Sequence, residues 1–548
     1  MIHRLSLHRK AESFPISYAI PVILKNFSLQ LCLLMVLSLF LRVITLGAQS
    51  VWGDDFICIG HIDTFNYHLF QQQVRTTSLD MPPLYFFLVY EWSRAFGTLP
   101  VAVRMLSVIF GVISTALVFF IGKRLFSQKI GLVASLLFAL SPVQIFHAQD
   151  MRGYSLNVFW GLLSVLTFLL MLEKSGIRYW IINAAVNAAL VWTHLVGVLM
   201  PLLLGGILLS RLRAYPRKIF LWGLIQVVLL LPLSGYAQVI FGGAPSGNRI
   251  DGIFWMIDLI TTPFLNEACY LIWAIPQSYY YDEGIINSLN SSHFINICIV
   301  VLHLCLGFTM ASLTVFCTWR FFRMSHCNKV GLLSATGNTN KFCPTFPENA
   351  YRNMPFYFLL LWMWMPRVML YVVAGIFDPN RLAFRYTLYA TPALYLLTAL
   401  AVGAIQSTKI RRCCYTFLLS SFVLLSIANS TLPVRGDYLG AGELIRSIPS
   451  PVPILVSGDS SITRDIIAYN AEMPLDKFID YSDELFDRAV DKVLGSSHSF
   501  WYVIEDTGSA DPVAKIKHVE AKIASSKLRF KRYYFGGMQR LIVYKVFA

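Results

Sequence analysis

Long apolar runs separated by short polar segments dominate the chain. A run of about 20 apolar residues is long enough to cross a bilayer as one helix. Eleven runs of suitable length and composition predict membrane-spanning helices: Phe27–Leu46, Val101–Ile121, Ile130–Phe146, Leu156–Leu172, Trp180–Trp192, Val196–Leu209, Ile219–Tyr236, Phe294–Trp319, Met354–Ile376, Arg385–Ile405 and Cys414–Asn429.

Two further apolar runs do not fit a simple crossing. Pro83–Trp92 is too short to span and is followed closely by charge, so it predicts a helix lying at the membrane interface. Ile253–Ile275 lies inside a long acidic loop. It fits a segment along the membrane surface or a re-entrant hairpin, and both readings stay open.

Composition supports a membrane protein. Of the 548 residues, 56% are hydrophobic and 14% are charged, and the mean hydropathy is +0.59. A soluble domain of this length does not reach such values. The net charge of +15 comes from basic loops that alternate with the spans. The positive-inside rule places these loops, and residues 1–26, in the cytoplasm. No basic stretch resembles a groove-reading element, so a nucleic-acid partner is not expected.

The composition changes from Pro433 onward. Short β-rich runs alternate there with helical patterns, which is typical of a small α/β domain. The runs are Val452–Val456, Phe500–Ile504 and Leu541–Val546, and the helical patterns are Asp483–Leu494 and Pro512–Ser525. An odd number of spans places this domain outside the cytoplasm. We therefore expect a cytoplasmic segment at 1–26, an all-α membrane domain at 27–431 and an extracytoplasmic α/β domain at 432–548.

The first candidate chemistry lies between Ser50 and Tyr85, directly after the first span. Asp54 and Asp55 stand at headgroup depth, where partial desolvation raises the pKa of a carboxylate and makes it a usable general base. Two neighbouring side chains in extended backbone do not reach the same atom. One carboxylate would act as the base, and the other would hydrogen-bond the acceptor or the backbone. His61 and His68 lie nearby in the sequence. Whether a divalent metal ion serves as a cofactor is left open by the sequence.

Two more polar clusters fall on the same side of the membrane. Gln149, Asp150, Arg152 and Tyr154 follow the third span, and His194 follows the fifth. Arg381, Arg385 and Tyr386 surround the start of a late span on the face that the positive-inside rule does not explain. Arginine binds phosphate in bidentate fashion, so these arginines suit a lipid-borne phosphate.

The chain has no P-loop and no GxGxxG fingerprint. Nucleotide sugars are absent outside the cytoplasm, but a sugar carried on a lipid phosphate is available there. The polar clusters together therefore indicate an enzyme that uses a lipid-linked sugar.

Several motifs resemble those of the GT-C superfamily of polytopic glycosyltransferases, in the branch of protein O-mannosyltransferases, the lipid A aminoarabinose transferase and the rhizobial galacturonosyltransferases. The likeness covers residues 30 to 430. The family's LW-x-DE, HPPLYY, RLLS-x-x-FG, ALSP…SQEARMY, THY and RY patterns are matched in order by Val51–Asp55, Met81–Phe86, Arg104–Gly111, Ala139–Tyr154, Thr193–Leu195 and Arg385–Tyr386. Met81 stands where His is usual, and Asp55 and Asp150 replace Glu.

The resemblance implies an inverting sugar transfer from a polyprenyl-phosphate donor to an acceptor outside the cytoplasm, at the cell membrane. Asp54 would be the general base, with Asp55 and Asp150 completing the catalytic group. The donor phosphate would be bound by Arg152, Arg381, Arg385 and Tyr154. The substrates would be positioned by Tyr85, Gln149, His194 and Tyr386.

Two other functions fit a polytopic protein of this kind. A flippase or transporter for a lipid-linked sugar would place its polar residues near the bilayer midplane and often shows internal repeats. Here the clusters lie at one face and no repeat is visible. The other alternative is a GT-C-like protein that binds lipid without catalysis, which Met81 favours mildly.

Overall fold

A computed structural model describes the structure over residues 27–53, 55–56, 58–59, 81–174, 176–234, 259–261, 263–265, 290–329, 354–377, 384–431, 438–447, 454–457, 461–473, 478–480, 499–506, 519–521, 523–525, 528–535 and 540–547. The predictions at Asp54, His61, His68, Arg381 and Asp483–Leu494, and most of Ile253–Ile275, lie outside these residues.

Before residue 432 the described part of the chain is mainly helical. In chain order they are α1 (Phe27–Val43), α2 (Leu84–Phe96), α3 (Pro100–Leu125), α4 (Gln128–Leu140), α5 (Pro142–Ala148), α6 (Tyr154–Glu173), α7 (Ile177–Thr193), α8 (Leu199–Leu209), α9 (Pro216–Leu230), α10 (Asn290–Lys329), α11 (Met354–Phe377), α12 (Thr391–Ala404) and α13 (Thr408–Thr431). Short 3₁₀ turns precede α8 at Leu195–Val198 and α12 at Phe384–Ala390, and one follows α9 at Leu231–Leu233.

The protein is an integral membrane protein with multiple spans. Seven helices of the described part are long and apolar enough to cross a bilayer, and the bent pair α4–α5 raises this number to eight. The other three predicted spans correspond to α1, α7 and α8, which have 17, 17 and 11 residues. The α8 helix is much shorter than the roughly 20 residues that cross a typical core. The predicted count of eleven is therefore not confirmed.

The predicted span Ile130–Phe146 is not one straight helix. It breaks at Ser141, and α5 leaves α4 at an angle of 60°. Pro142 occupies the first position of α5, and the Ser141 hydroxyl accepts a hydrogen bond from the Gln144 N–H over 3.2 Å. Proline at this position and serine as N-cap both favour the start of a new helix. The continuous apolar pattern concealed this break.

The predicted C-terminal α/β architecture is confirmed. Helices α14 (Tyr438–Arg446) and α15 (Ser461–Asn470) accompany a sheet of five strands in the order β2-β1-β3-β5-β4. The strands are β1 (Ile454–Ser457), β2 (Phe478–Asp480), β3 (Ser499–Asp506), β4 (Arg529–Phe535) and β5 (Arg540–Phe547). Strand β1 is parallel to β2 and β3, whereas β5 is antiparallel to both β3 and β4.

Two hydrophobic cores hold these parts together. The larger core lies among the membrane helices. The smaller core lies between the sheet and helices α14 and α15, and it contains one residue from far away in the chain, Trp52. The polar segment that follows α1 is therefore packed into the C-terminal unit.

Candidate active site

Asp55 is anchored inside the protein. One carboxylate oxygen lies 2.6 Å from Nη2 of Arg104 in α3, and the other accepts a hydrogen bond from the Met151 N–H over 2.8 Å. Both side chains of the ion pair are buried. A buried carboxylate is tolerated when it is paired and hydrogen-bonded in this way. Asp55 thus ties the segment carrying the neighbouring Asp54 to α3 and to the loop after α5.

Arg104 also organises the chain that leads from α1 to Asp55. Its Nη1 donates to the carbonyl oxygens of Leu46 and Gln49, at 3.0 and 2.8 Å, and its Nη2 donates to that of Ser50 at 2.8 Å. Guanidinium offers a planar fork of donors, so one side chain can satisfy several carbonyls and a carboxylate together. The sequence showed Arg104 only as part of a motif, and its pairing was not foreseen.

A second buried carboxylate, that of Asp150, lies two residues after the end of α5. Asp150 Oδ2 lies 3.0 Å from His147 Nδ1. Ser155 in α6 donates its hydroxyl to the His147 carbonyl over 3.1 Å. The Gln149 amide donates to the Arg42 carbonyl and to Thr45 Oγ1, both at 3.0 Å. This set links the α5–α6 loop to the end of α1. His147 is a site residue that the sequence-based hypothesis did not include.

Arg152 lies against the residue that departs from the family pattern. Its Nη1 is 3.5 Å from Met81 Sδ, and its carbonyl accepts a hydrogen bond from Ser107 Oγ over 3.5 Å. Ser107 is in turn 3.0 Å from the Tyr85 hydroxyl. A side chain at Gly153 would come within 3.2–3.3 Å of Met81, Tyr85 and a neighbouring threonine. Glycine thus allows the α5–α6 loop to lie close to α2.

Aromatic rings connect the two distant clusters of predicted site residues. The Tyr154 ring lies 4.9 Å from His147 and 6.4 Å from His194, and His194 lies 4.7 Å from Tyr386. The Arg385 guanidinium lies 5.8 Å from the Tyr154 centroid and 5.7 Å from that of Tyr386. Arg385 and the Arg152–Tyr154 loop therefore occupy one region of the structure. The arginines suit an anion there.

The Cys58 thiol and the Tyr85 phenol near these residues stay protonated. Burial raises the pKa of the Cys58 thiol to about 12, with a smaller increase from Asp55 and an opposing effect of Arg152. Burial likewise raises the pKa of the Tyr85 phenol, and Cys58, Asp55 and Asp150 add to this while its bond to Ser107 opposes it. At neutral pH neither group is an anion, so neither supplies an anionic nucleophile.

The residues present do not build a recognisable metal site in the described ranges, where no three His, Cys, Asp or Glu side chains converge to hold an ion. His61 and His68 lie outside those ranges.

The C-terminal unit closes the polar segment from the other side. Asn470 in α15 donates to the Val51 carbonyl over 3.1 Å, and the Leu439 N–H donates to Ser50 Oγ over 3.2 Å. Trp52 is buried in the smaller core, and the Phe56 ring packs edge-on against Tyr469 at 6.2 Å. Asp55 therefore contacts the membrane helices, whereas Ser50, Val51 and Phe56 contact α14 and α15.

The α2–α9 region that carries much of this site matches a known family. Residues 80–236 match the family model of dolichyl-phosphate-mannose-protein mannosyltransferases. This match spans 157 of the 548 residues and includes the helices and loop that carry Tyr85, Arg152 and Tyr154. A comparison with curated proteins found no match.

Two solved structures resemble the chain in fold. ArnT from Cupriavidus metallidurans, bound to undecaprenyl phosphate, is 12% identical with a TM-score of 0.47, and the match covers 94% of this chain and 97% of ArnT. AglB from Archaeoglobus fulgidus, in complex with an inhibitory peptide and a dolichol-phosphate, is 13% identical with a TM-score of 0.47, covering 88% and 70%. At these values neither match informs on substrate.

Most of the predicted site residues meet in one region. Asp55, which the sequence placed in the catalytic group, has both carboxylate oxygens engaged within the protein. The other predicted residues that surround the α5–α6 loop are Tyr85, Gln149, Asp150, Arg152, Tyr154, His194, Arg385 and Tyr386. Asp54 and Arg381 lie outside the described residues.

Proposed function

We propose that the protein transfers a sugar, with inversion, from a polyprenyl-phosphate donor to an acceptor outside the cytoplasm. The observation that carries the proposal is the position of the Arg385 guanidinium, which lies 5.8 Å from the ring of Tyr154, two residues after Arg152 in the chain. Two arginines from distant parts of the chain suit one phosphate group, because guanidinium binds phosphate in bidentate fashion. The donor named in the description of the matching family model, a dolichyl-phosphate sugar, is of this chemical class.

The base in this proposal is Asp54. Its carboxylate accepts the proton of the acceptor hydroxyl, and the hydroxyl oxygen then attacks the anomeric carbon. The bond between that carbon and the phosphate oxygen breaks, and the phosphate leaves as an anion. Arg152 and Arg385 stabilise the developing negative charge, with Arg381 and Tyr154 as further phosphate ligands. Attack from the face opposite the phosphate inverts the anomeric configuration.

The other acidic residues have supporting roles. One carboxylate oxygen of Asp55 pairs with Arg104 and the other accepts a hydrogen bond from the Met151 N–H, which suits a positioning role next to Asp54. Asp150 pairs with the buried His147 and completes the catalytic group in this proposal. Tyr85, Gln149, His194 and Tyr386 would position the substrates. The membrane domain at 27–431 would carry the donor, and the domain at 432–548 would face the acceptor.

The acceptor in this proposal is a glycolipid, polysaccharide or protein of the cell envelope, and the enzyme lies in a bacterial inner membrane with its site facing outward. The test combines purified protein, a polyprenyl-phosphate sugar and an envelope extract from a deletion strain. We expect a glycosylated product whose anomeric configuration is opposite to that of the donor. Movement of labelled donor across vesicles without any transfer would instead establish a flippase.

A further inference from the structure

The break between α4 and α5 leaves backbone carbonyls without helical partners inside the membrane protein. No water is available there to hydrogen-bond these carbonyl groups, so side chains must donate hydrogen bonds to them. The Leu140 carbonyl accepts a hydrogen bond from Ser426 of α13 over 2.5 Å. The Ala139 carbonyl accepts one from Arg42 of α1 over 3.3 Å. Two other helices therefore supply the donors that the break requires.

Tyr395 of α12 hydrogen-bonds to Ser141, the residue between α4 and α5. Its hydroxyl donates to Ser141 Oγ over 2.9 Å, while the same oxygen accepts the Gln144 N–H that begins α5. The α4–α5 break is thus held by one side chain from each of α1, α12 and α13. Each of these contacts is buried.

Arg42 is a fully buried cation with no carboxylate among its partners in the part of the chain that the structure describes. Its Nη1 also donates to the Ser38 carbonyl and hydroxyl, at 3.1 and 2.7 Å, and its guanidinium lies 5.8 Å from the Phe138 ring. A methyl group at Gly111 would come within 2.9 Å of Arg42 Nε, so glycine makes room for it. A buried charge in a membrane is costly. At the carboxyl end of α4 it also meets the negative end of the helix dipole, which favours a cation.

The same residue holds the far end of α5. The Arg42 carbonyl accepts a hydrogen bond from the Gln149 amide over 3.0 Å. Arg42 therefore contacts the chain just before α5 through its side chain and just after α5 through its backbone. The orientation of this seven-residue helix is fixed by the end of α1.

We propose that Arg42, Tyr395 and Ser426 are positioning residues that set the bend of α5 and thereby place the His147–Arg152 loop for sugar transfer. This proposal rests on the proposed function. A seven-residue helix is about 10 Å long, so a rotation of about 10° moves its end by roughly 1.7 Å. A displacement of about 1 Å by a distant mutation can cost about 10²-fold in rate.

Two serines of α13 provide a matched test. Ser426→Ala removes the donor to Leu140, whereas Ser421→Ala makes the same change at an equally buried position of the same helix with no hydrogen bond in the described part. We expect Ser426→Ala to lower kcat/KM per folded molecule at least fivefold, and Ser421→Ala to stay within twofold of wild type. Hydrogen exchange of segment 142–154 should rise in Ser426→Ala only. Equal kcat/KM and equal exchange in the two variants would overturn the proposal.

Arg42 supplies the second arm. Arg42→Met keeps much of the volume but removes the charge and the donor, and Arg42→Lys restores both in part. We expect faster exchange at 142–154 and a lower kcat/KM in Arg42→Met, with partial recovery in Arg42→Lys. A merely structural role would lower the melting temperature and raise exchange throughout the protein. Exchange needs no substrate, so an inactive wild type would overturn the proposed function while local exchange still reports on the bend.

Discussion

Asp55 and Arg104 form a buried ion pair of 2.6 Å beside the candidate base. The two neighbouring aspartates therefore differ in physical role, and their asparagine variants should differ as well. Asp54→Asn should insert and fold normally but lose about 10²–10⁴-fold in transfer rate, as expected for the loss of a general base. The measurement is transfer by purified protein together with its melting temperature.

The matched variant at the next position should fail in another way. Asp55→Asn leaves Arg104 buried without its carboxylate, and breaking such a pair costs about 3–5 kcal/mol. We expect a marked fall in melting temperature and, per folded molecule, a smaller loss of transfer than in Asp54→Asn, because Asp55 positions the base and does not itself accept the proton. Normal transfer by Asp54→Asn would contradict the assignment of the base.

The donor site should depend on the arginine fork. Arg152→Ala and Arg385→Ala should each raise the KM for the polyprenyl-phosphate donor and lower kcat, because the leaving phosphate gains charge in the transition state. Lysine at either position should rescue poorly, since it keeps the charge but loses bidentate geometry. Wild-type kinetics in both alanine variants would place phosphate binding elsewhere. The exposed Arg94→Ala, in an ion pair with Glu91 on α2, serves as the control.

The contact between Asn470 and the acidic segment should matter for rate. Asn470→Ala removes the donor to the Val51 carbonyl. A neutral hydrogen bond is worth about 0.5–1.5 kcal/mol, which converts to roughly 2- to 12-fold in rate if the contact acts on catalysis. Glu472→Gln, in an exposed ion pair with Arg446 at the same junction, should change kcat little. Equal kcat values for the two variants would argue against a catalytic effect of this contact.

Cys58 offers a test of the electrostatics without any substrate. Burial raises the pKa of its thiol to about 12. A thiolate-specific reagent should therefore leave Cys58 unmodified between pH 7 and pH 9 in the folded protein and label it after denaturation. Cys58→Ala should retain transfer, because a thiol that stays protonated is not the nucleophile. Rapid labelling at pH 8 in the native protein would contradict this, with the exposed Cys413 as a reference for reagent access.

Topology is testable at the chain end. The charge asymmetry of the loops predicts the amino terminus in the cytoplasm and the segment after Pro433 outside. Alkaline phosphatase fused after Ala548 should be active, because it folds only outside the cytoplasm. A fusion that is inactive, while a cytoplasmic reporter at the same position works, would reverse the orientation and remove Asp54 from the outer face.

The sequence predicted best what local patterns encode. The runs Phe500–Ile504 and Leu541–Val546 became β3 and β5, and the polar motifs after the spans met in one region. Strand β4 was missed because its basic and aromatic residues, RFKRYYF, do not resemble a buried strand. The bend at Ser141 was missed although the Ser-Pro pair marks it, because the apolar pattern continues on both sides.

Local sequence patterns did not predict which residues from distant parts of the chain pair with each other. Nothing near Asp55 indicates Arg104, since the ion pair depends on how α3 packs against the segment after α1. The sequence alone assigned no role to Arg42, which lies within the apolar run Phe27–Leu46. Only the bend in α4–α5 explains why its guanidinium turns inward, and that bend is itself a product of packing.

The burial of Trp52 in the C-terminal core has a consequence for biosynthesis. The hydrogen bonds that hold Ser50 and Val51 reach across 389 and 419 positions of the chain. Trp52 also shares its core with Leu541 and Val543 of β5, which lie still further along the chain. Contacts of such long range form late in folding. A nascent chain therefore carries Ser50 and Val51 through the synthesis of all the membrane helices before their partners Leu439 and Asn470 exist.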